Sequence, residues 1–206
     1  TNVGADDGPA DTRTGHGTHV AGSFVGDGAI AIVAAGAAVR GPAYRAQLVF
    51  QAIEQRLVWT EAYRQSYRRQ YGRFPPDYGL AGLPADLKLL FEQAYALGVR
   101  IHSNSWGGGE FGAYDQYAEA VDRFAWEHKD FLVLFAAGND GGDYNRDGRV
   151  DEGSVTPPGT AKNCICVGAA ESVRESGGYQ DAYGDLLGNG FSIPPLCDDR
   201  PSDNPD

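Results

Sequence analysis

The sequence predicts an α/β fold with a mostly parallel sheet and covering helices, and three observations support this prediction. Short apolar segments alternate with segments of helical periodicity, which is the order that parallel strands and their crossover helices produce. The connections are long enough for right-handed crossovers. Two glycine-rich loops follow predicted strands, at the strand ends where such folds carry their chemistry.

Four apolar segments are predicted to be strands: Gln47 to Gln51, Val99 to Asn104, Phe131 to Ala136 and Cys164 to Val167. The first is expected to be buried. Cys164 and Cys166 alternate along the last one, so we expect both on one face as buried, small apolar residues. The three cysteines are too few for a disulfide scaffold. Cys197 is expected to pair with a group of the parent protein beyond residues 1–206.

Helical periodicity marks three further segments. Apolar residues between Pro84 and Gly98 recur at i, i+3, i+4, i+7 and i+10, namely Leu87, Leu90, Phe91, Ala94 and Leu97. A second amphipathic helix runs through Tyr117, Val121, Phe124, Ala125 and His128. Tyr63, Tyr67 and Tyr71 recur every four residues among arginines, which predicts a surface helix with its tyrosine side packed inward.

Composition narrows the classes of function. The 206 residues include 28 acidic and 17 basic side chains, a formal charge of -11, so nucleic acid is not an expected partner. No apolar run reaches the ~18 residues of a membrane span. The chain begins at Thr1 and contains no methionine, so we expect its N-terminus to be cut rather than native.

The most specific signal is a histidine between glycines at a predicted helix start, Gly15-His16-Gly17-Thr18-His19-Val20-Ala21-Gly22-Ser23. This segment resembles the active-site histidine motif of the subtilisin-like serine peptidases. Three further segments resemble the same family in the same order: Asn104-Ser105-Trp106-Gly107, Ala136-Ala137-Gly138-Asn139-Asp140, and Pro158 to Asn163 leading into Val167-Gly168-Ala169. The resemblance implies a subtilisin-like sheet with helices on both faces, and secretion from the cell.

The resemblance assigns roles to individual residues. His16 is implied to be the general base that takes a proton from a serine nucleophile, a task for neutral imidazole, which a helix N-terminus favours. Asn139 is implied to donate to the oxyanion; a turn asparagine is the alternative interpretation. A packed or capping histidine is the alternative for His16.

Substrate contacts are implied in two segments. Ser105, Trp106 and Gly107 resemble the backbone edge on which the family lays an extended polypeptide substrate, and Ala136, Ala137 and Gly138 resemble one wall of the main specificity pocket. Main-chain pairing selects weakly for sequence, so broad endopeptidase specificity is expected. Trp106 is equally consistent with a core aromatic.

Two catalytic groups are missing from the motifs. The family's order is Asp, His, Ser, yet no Asp-Ser/Thr-Gly segment precedes His16 and no Gly-Thr-Ser-Met-Ala segment follows. We therefore expect residues 1–206 to be part of a subtilisin-like catalytic domain, cut at both ends, incomplete in its sheet, inactive and poorly stable alone. Residues 52–84 are interpreted as an insertion, and a prodomain is a possible partner in the parent protein.

A calcium loop is predicted after Asn139. Asp143, Asn145, Asp147 and Asp151 occupy positions 1, 3, 5 and 9 of an EF-hand-like spacing, with Gly148 at 6 and the carbonyl of Arg149 at 7. Position 12 is Ser154, so Glu152 or an outside group would complete the Ca²⁺ shell. An acidic surface turn is the alternative.

Two other functions stay open. One is a non-catalytic, calcium-stabilised binding module or pseudoprotease in which His16 is vestigial. The other is a zinc hydrolase using His16 and His19, which lacks the HEXXH glutamate and a third ligand.

Overall fold

The computed structural model describes residues 2–3, 15–29, 39–141, 145 and 150–169. The chain divides into two compact units, Thr1–Ala85 and Asp86–Asp206. Each unit has its own sheet. No helix among the described residues is long and apolar enough to span a membrane.

Among its described residues, the first unit contains two helices and a small antiparallel sheet. Strand β1 (Asn2–Val3) is followed by α1 (His16–Val25), β2 (Gln55–Val58), α2 (Glu61–Tyr71) and β3 (Tyr78–Gly79). The strand order is β1-β2-β3, with Asn2 opposite Val58 and Gln55 opposite Gly79. The helices at His16 and through the three tyrosines were predicted from sequence, whereas this sheet was not.

Local signals explain where α2 begins and ends. The Thr60 hydroxyl accepts a 3.3 Å hydrogen bond from the Tyr63 amide at the N-terminus. Gly72 ends the helix in the left-handed region, with φ 70°. Arg68 and Arg69 lie in the last turn, where positive charge stabilises the helix dipole.

The predicted strand at Gln47 to Gln51 is wrong. These residues form no strand, and Leu48, Val49 and Phe50 are exposed. An apolar segment becomes a buried strand only when another strand accepts its backbone hydrogen bonds. None of the described strands pairs with it.

The second unit is built on a parallel sheet of three strands, which confirms the predicted fold class. These are β4 (Ile101–Asn104), β5 (Leu132–Ala136) and β6 (Ile165–Val167), in the order β4-β5-β6. All pairs are parallel, with Ile101 opposite Leu132 and Leu134 opposite Ile165. The observed strands lie within three of the four segments predicted from sequence.

Two helices pack on one face of this sheet. Helix α3 (Lys88–Ala96) precedes β4, and α4 (Gln116–Glu127) connects β4 to β5. The rings of Phe91 on α3 and Phe124 on α4 lie 5.4 Å apart. Buried apolar residues complete this core: Leu87, Leu90, Ala94, Ala118, Ala120, Val121, Phe131, Val133 and Phe135. Leu97, predicted to be on the apolar side, is exposed because the helix ends just before it and Gly98 turns the chain at φ 88°.

The opposite face of the sheet is apolar and open to solvent. Ile101, Leu132, Ile165 and Val167 are all exposed. The prediction that both cysteines are buried is also wrong, since Cys164 is half-buried and Cys166 is exposed. Cys166 lies on the terminal strand of the sheet, where no further described strand covers it. Cys197 lies outside the described residues.

Candidate functional site

The candidate site lies beyond the carboxyl ends of β4 and β5. These strands are parallel neighbours in which Asn104 stands opposite Phe135, so their following loops leave the same edge of the sheet. The loop after β4 begins with Ser105, and the loop after β5 begins with Ala137. Topology therefore brings together two segments that are about thirty residues apart in sequence, as the predicted parallel order requires.

An open pocket lies between these loops. It encloses about 440 Å³, including its solvent-open part, and six predicted site residues line it: Ser105, Trp106, Gly107, Ala136, Gly138 and Asn139. Gly108, Asp140 and Thr156 complete the lining. Ala137 was also predicted, but it is not among the lining residues; its amide donates to the Val167 carbonyl over 2.9 Å.

Trp106 is positioned by the buried side chain of Asn104. Asn104 is only 3% exposed. Its side-chain nitrogen donates to the Leu134 carbonyl over 3.0 Å, and its side-chain oxygen accepts from the indole nitrogen of Trp106 over 3.2 Å. Trp106 also meets Phe135 edge-on, with ring centroids 5.2 Å apart. The indole therefore contacts the core and also lines the pocket, and its contact with substrate stays a prediction.

Thr156 closes the pocket between the two loops. It is 6% exposed. A Cβ atom added at Gly107 would lie 2.8 Å from the Thr156 hydroxyl oxygen, and one added at Gly138 would lie 3.2 Å from it. Glycine at both positions therefore makes room for the threonine. Sequence reasoning missed Thr156; its only signal was the adjoining Pro158-Gly159-Thr160 segment.

The segment that carries Thr156 is held by backbone hydrogen bonds. The Gly108 amide donates to the Pro157 carbonyl over 2.9 Å, and the Gly112 amide donates to the Val155 carbonyl over 2.8 Å. Further along, the Asp122 carboxylate of α4 accepts from the amides of Lys162 and Asn163 over 2.8 and 2.6 Å. This third wall is therefore attached to both the β4 loop and α4.

Asp140 is the only charged residue among those that line the pocket. It follows Asn139 directly and is exposed. A single carboxylate without a cation in the lining makes the pocket electrostatically favourable for positive groups.

His16 lies in the first unit, as the first residue of α1. Gly15 precedes it in the left-handed region at φ 68°, a conformation that glycine adopts without strain. His16 and His19 are both exposed. Because His16 and Asn139 belong to different units, their joint catalytic role stays a prediction.

The predicted calcium loop falls mostly outside the described residues. Asp143, Asp147 and Arg149 are not described, whereas Asn145, Asp151 and Glu152 are. Among the residues with described positions, no three His, Cys, Asp or Glu side chains are grouped to hold a metal ion. The calcium site therefore stays a prediction from spacing and from the oxygen-rich donor set.

Comparison with known proteins identifies the family. The sequence model of the subtilase family matches residues 1–198. The serine protease/ABC transporter B family protein tagD of Dictyostelium discoideum is 30% identical over 183 residues, which cover 85% of this chain and 8% of that protein. Protein tagB of the same organism and description is 30% identical over 173 residues, or 80% of this chain and 7% of tagB. The chain thus spans less than a tenth of the length of these relatives. It belongs to the subtilase family.

Proposed function

We propose that this chain supplies the histidine and the oxyanion donor of a serine endopeptidase that cleaves extended polypeptides. Subtilase membership supports a serine peptidase in general. The roles of the oxyanion donor and the substrate-binding residues are supported by the pocket. In it, Asn139 lines the same space as Ser105, Trp106, Gly107 and Gly138. An oxyanion donor beside a substrate-binding wall is the arrangement that acyl transfer needs.

In the proposed reaction, His16 acts as a general base on a serine hydroxyl and returns the proton to the leaving amine. Asn139 donates a hydrogen bond to the oxygen of the tetrahedral intermediate. The nucleophilic serine and the orienting aspartate are assigned to other parts of the parent protein, so residues 1–206 alone are expected to be inactive.

Substrate binding is proposed to follow the loop after β4. An extended polypeptide laid along Ser105 to Gly107 would pair through its main chain and place one side chain in the pocket that Trp106 lines. Main-chain pairing of this kind discriminates little between the substrate side chains that lie outside the pocket. The proposed enzyme is therefore an endopeptidase whose preference is set mainly by one substrate residue.

The test uses the parent protein and matched histidine variants. Wild type is expected to hydrolyse casein and to be labelled by a fluorophosphonate. His16→Ala should lower kcat by about 10⁴-fold or more. Asn139→Ala should lower it by about 10²–10³-fold, a range taken from subtilisin itself rather than derived from this chain. His19→Ala is the control and should retain activity.

The non-catalytic alternative gives a different result. A binding module or pseudoprotease would neither hydrolyse casein nor react with the fluorophosphonate, although it would fold and bind peptides. Equal activity of His16→Ala and wild type would also reject the proposed role of His16.

Calcium is proposed as a structural cofactor of residues 143–154. The chemistry of the donor set, carboxylates with an amide and a carbonyl, suits Ca²⁺. If calcium holds this loop beside Asn139, EDTA should lower the Tm of the parent enzyme and added Ca²⁺ should restore it. A Tm that EDTA leaves unchanged contradicts the proposal.

Secretion and a prodomain are proposed from family resemblance alone. Fractionation of cells that express the tagged parent protein should place it in the medium, with an N-terminus shortened relative to the translated one. Retention of an unprocessed protein inside the cell contradicts both proposals.

A further inference from the structure

Helix α2 of the first unit presents an aromatic stripe that the proposed catalysis does not use. None of its residues is buried. Tyr63 and Tyr71 are 43% and 56% exposed, which contradicts the sequence prediction that this side packs inward. Tyr67 and Trp59 are half-buried, so the stripe is partly accessible to solvent.

The rings of the stripe contact one another in a continuous row. Trp59 stacks on Tyr63 with centroids 4.6 Å apart. Tyr63 lies 6.0 Å from Tyr67, and Tyr67 lies 4.5 Å from Tyr71. The spacing of four residues places these rings on one side of the helix. Mutual contact holds them in place, so little side-chain entropy would be lost when a partner covers them.

Two arginines extend this surface. The guanidinium groups of Arg64 and Arg68 lie 4.9 and 5.0 Å from the ring centre of Phe74, which is itself exposed. Arg64 lies 3.6 Å from the Asp77 carboxylate. Arg68 is exposed and has no carboxylate partner among the described residues. We call the stripe together with Arg64, Arg68 and Phe74 the aromatic–arginine face.

The segment that carries this face has a net charge opposite to that of the whole chain. Residues 55–78 contain five arginines and only two carboxylates, Glu61 and Asp77, whereas the chain carries a net charge of -11. A local positive surface on an acidic protein selects for acidic partners by charge complementarity.

Residue types favour a polypeptide as that partner. Tyrosine, tryptophan and arginine dominate the face, and these are the residues that contribute most at protein–protein interfaces. Helix α2 contains no Leu, Ile, Val or Phe, so Trp59 and Phe74 are the only two residues of the face of the kind that inserts into a lipid surface. A nucleic acid would meet the repulsion of the remaining, strongly acidic chain.

We propose that the aromatic–arginine face binds an acidic segment of a partner polypeptide, separately from the catalytic pocket. The guanidinium of Arg68 pairs with an Asp or Glu carboxylate of the partner. The tyrosine rings pack against the stems of its side chains and its backbone. This binding needs no peptide hydrolysis, so the absence of peptidase activity would not contradict it.

The test measures binding of a labelled, Glu- and Asp-rich peptide to the parent protein by fluorescence anisotropy. Wild type should bind this peptide, more weakly as salt rises. Arg68→Glu should weaken binding by about tenfold, because it replaces an attraction by a repulsion. Tyr71→Ala should weaken it several-fold. Both residues are exposed, and circular dichroism verifies that each variant keeps its helix content.

Arg123→Glu is the matched control, since Arg123 is an exposed arginine on α4 with only a 3.9 Å ion pair to Glu119. Its binding should equal that of wild type. A lysine-rich peptide, a single-stranded oligonucleotide and phosphatidylserine vesicles are tested alongside. Absence of binding to the acidic peptide, tighter binding to the oligonucleotide or vesicles, or equal effects of Arg68→Glu and Arg123→Glu would each overturn the proposal.

Discussion

The indole nitrogen of Trp106 donates a 3.2 Å hydrogen bond to the side-chain oxygen of Asn104, and this bond links the pocket wall to the end of β4. The same carboxamide bonds to the Leu134 carbonyl on the neighbouring strand. One buried side chain thus joins two parallel strands and orients the aromatic ring in the pocket. The position of the Trp106 ring in the pocket therefore depends on its hydrogen bond to Asn104.

Asn104→Ala should therefore lower both stability and substrate binding. It leaves the Leu134 carbonyl and the indole without their partner, which we expect to cost about 1–3 kcal/mol of the free energy of unfolding. Urea unfolding followed by tryptophan fluorescence measures this loss. Trp106→Phe serves as the control, because it keeps the Asn104–Leu134 bond and should cost less. Equal stability of Asn104→Ala and wild type would rule out the linking role.

Gly138→Ala should destabilise the pocket. Gly138 has φ 112°, and an added Cβ would stand 3.2 Å from the Thr156 hydroxyl. A residue with a side chain is strained in that backbone region, at a cost of about 1–3 kcal/mol. Gly108→Ala is the matched control, since nothing lies within 4 Å of its added Cβ. Thermal melts of the two variants should differ, and matching Tm values would refute the explanation.

Asp140 should favour substrates with a basic residue at the position that enters the pocket. An exposed ion pair contributes about 0.2–1 kcal/mol, which corresponds to a preference of about 1.4–5-fold in kcat/KM. Paired peptides that differ only in Arg versus Gln at this position measure the preference in the parent enzyme. Asp140→Asn should abolish it, and so should high salt. A preference that survives in the variant would exclude Asp140 as its source.

His102 should make stability depend on pH. Burial beside Phe91 lowers its pKa to about 4, against an ordinary value of 6.5, so the unfolded state binds the proton more tightly. This difference in pKa makes its full contribution to the free energy of unfolding above pH 6.5, and the contribution is lost as the pH falls through 4. At pH 5 the free energy of unfolding is lower by about 2 kcal/mol than at neutral pH. His102→Phe keeps a ring without a titrating group.

The measurement compares the free energy of unfolding at pH 7 and pH 5 in wild type and His102→Phe. The carboxylates titrate alike in both proteins, so their contribution cancels in the comparison. Wild type should lose more stability than the variant. An equal loss would show that His102 does not carry the dependence.

Local patterns predicted most of the second unit. The apolar runs at β4, β5 and β6 and the periodicity of α3 and α4 depend on residues close in sequence, as does the helix that starts at His16. Short motifs likewise identified Asn139 and the segments on both sides of the pocket. In each case the physical cause acts over a few neighbouring residues.

Long-range contacts decided what the sequence did not reveal. Whether Gln47 to Gln51 forms a strand depends on a partner strand, and whether Cys166 is buried depends on what covers the sheet edge. Tyr63 and Tyr71 have the spacing of a packed face, yet they are exposed. Burial is a property of the neighbours rather than of the residue itself.

The sequence by itself determined the family, the parallel order of the strands and the residue types available for catalysis. Only the tertiary structure showed that Asn104 holds Trp106 and that Thr156 fills the space left by Gly107 and Gly138. Thr156 lies about fifty residues from Gly107 along the chain, and their contact exists because backbone hydrogen bonds bring the segment around Pro157 against the loop after β4. Periodicity and motif spacing describe one segment at a time, whereas the shape of a pocket depends on how separate segments pack.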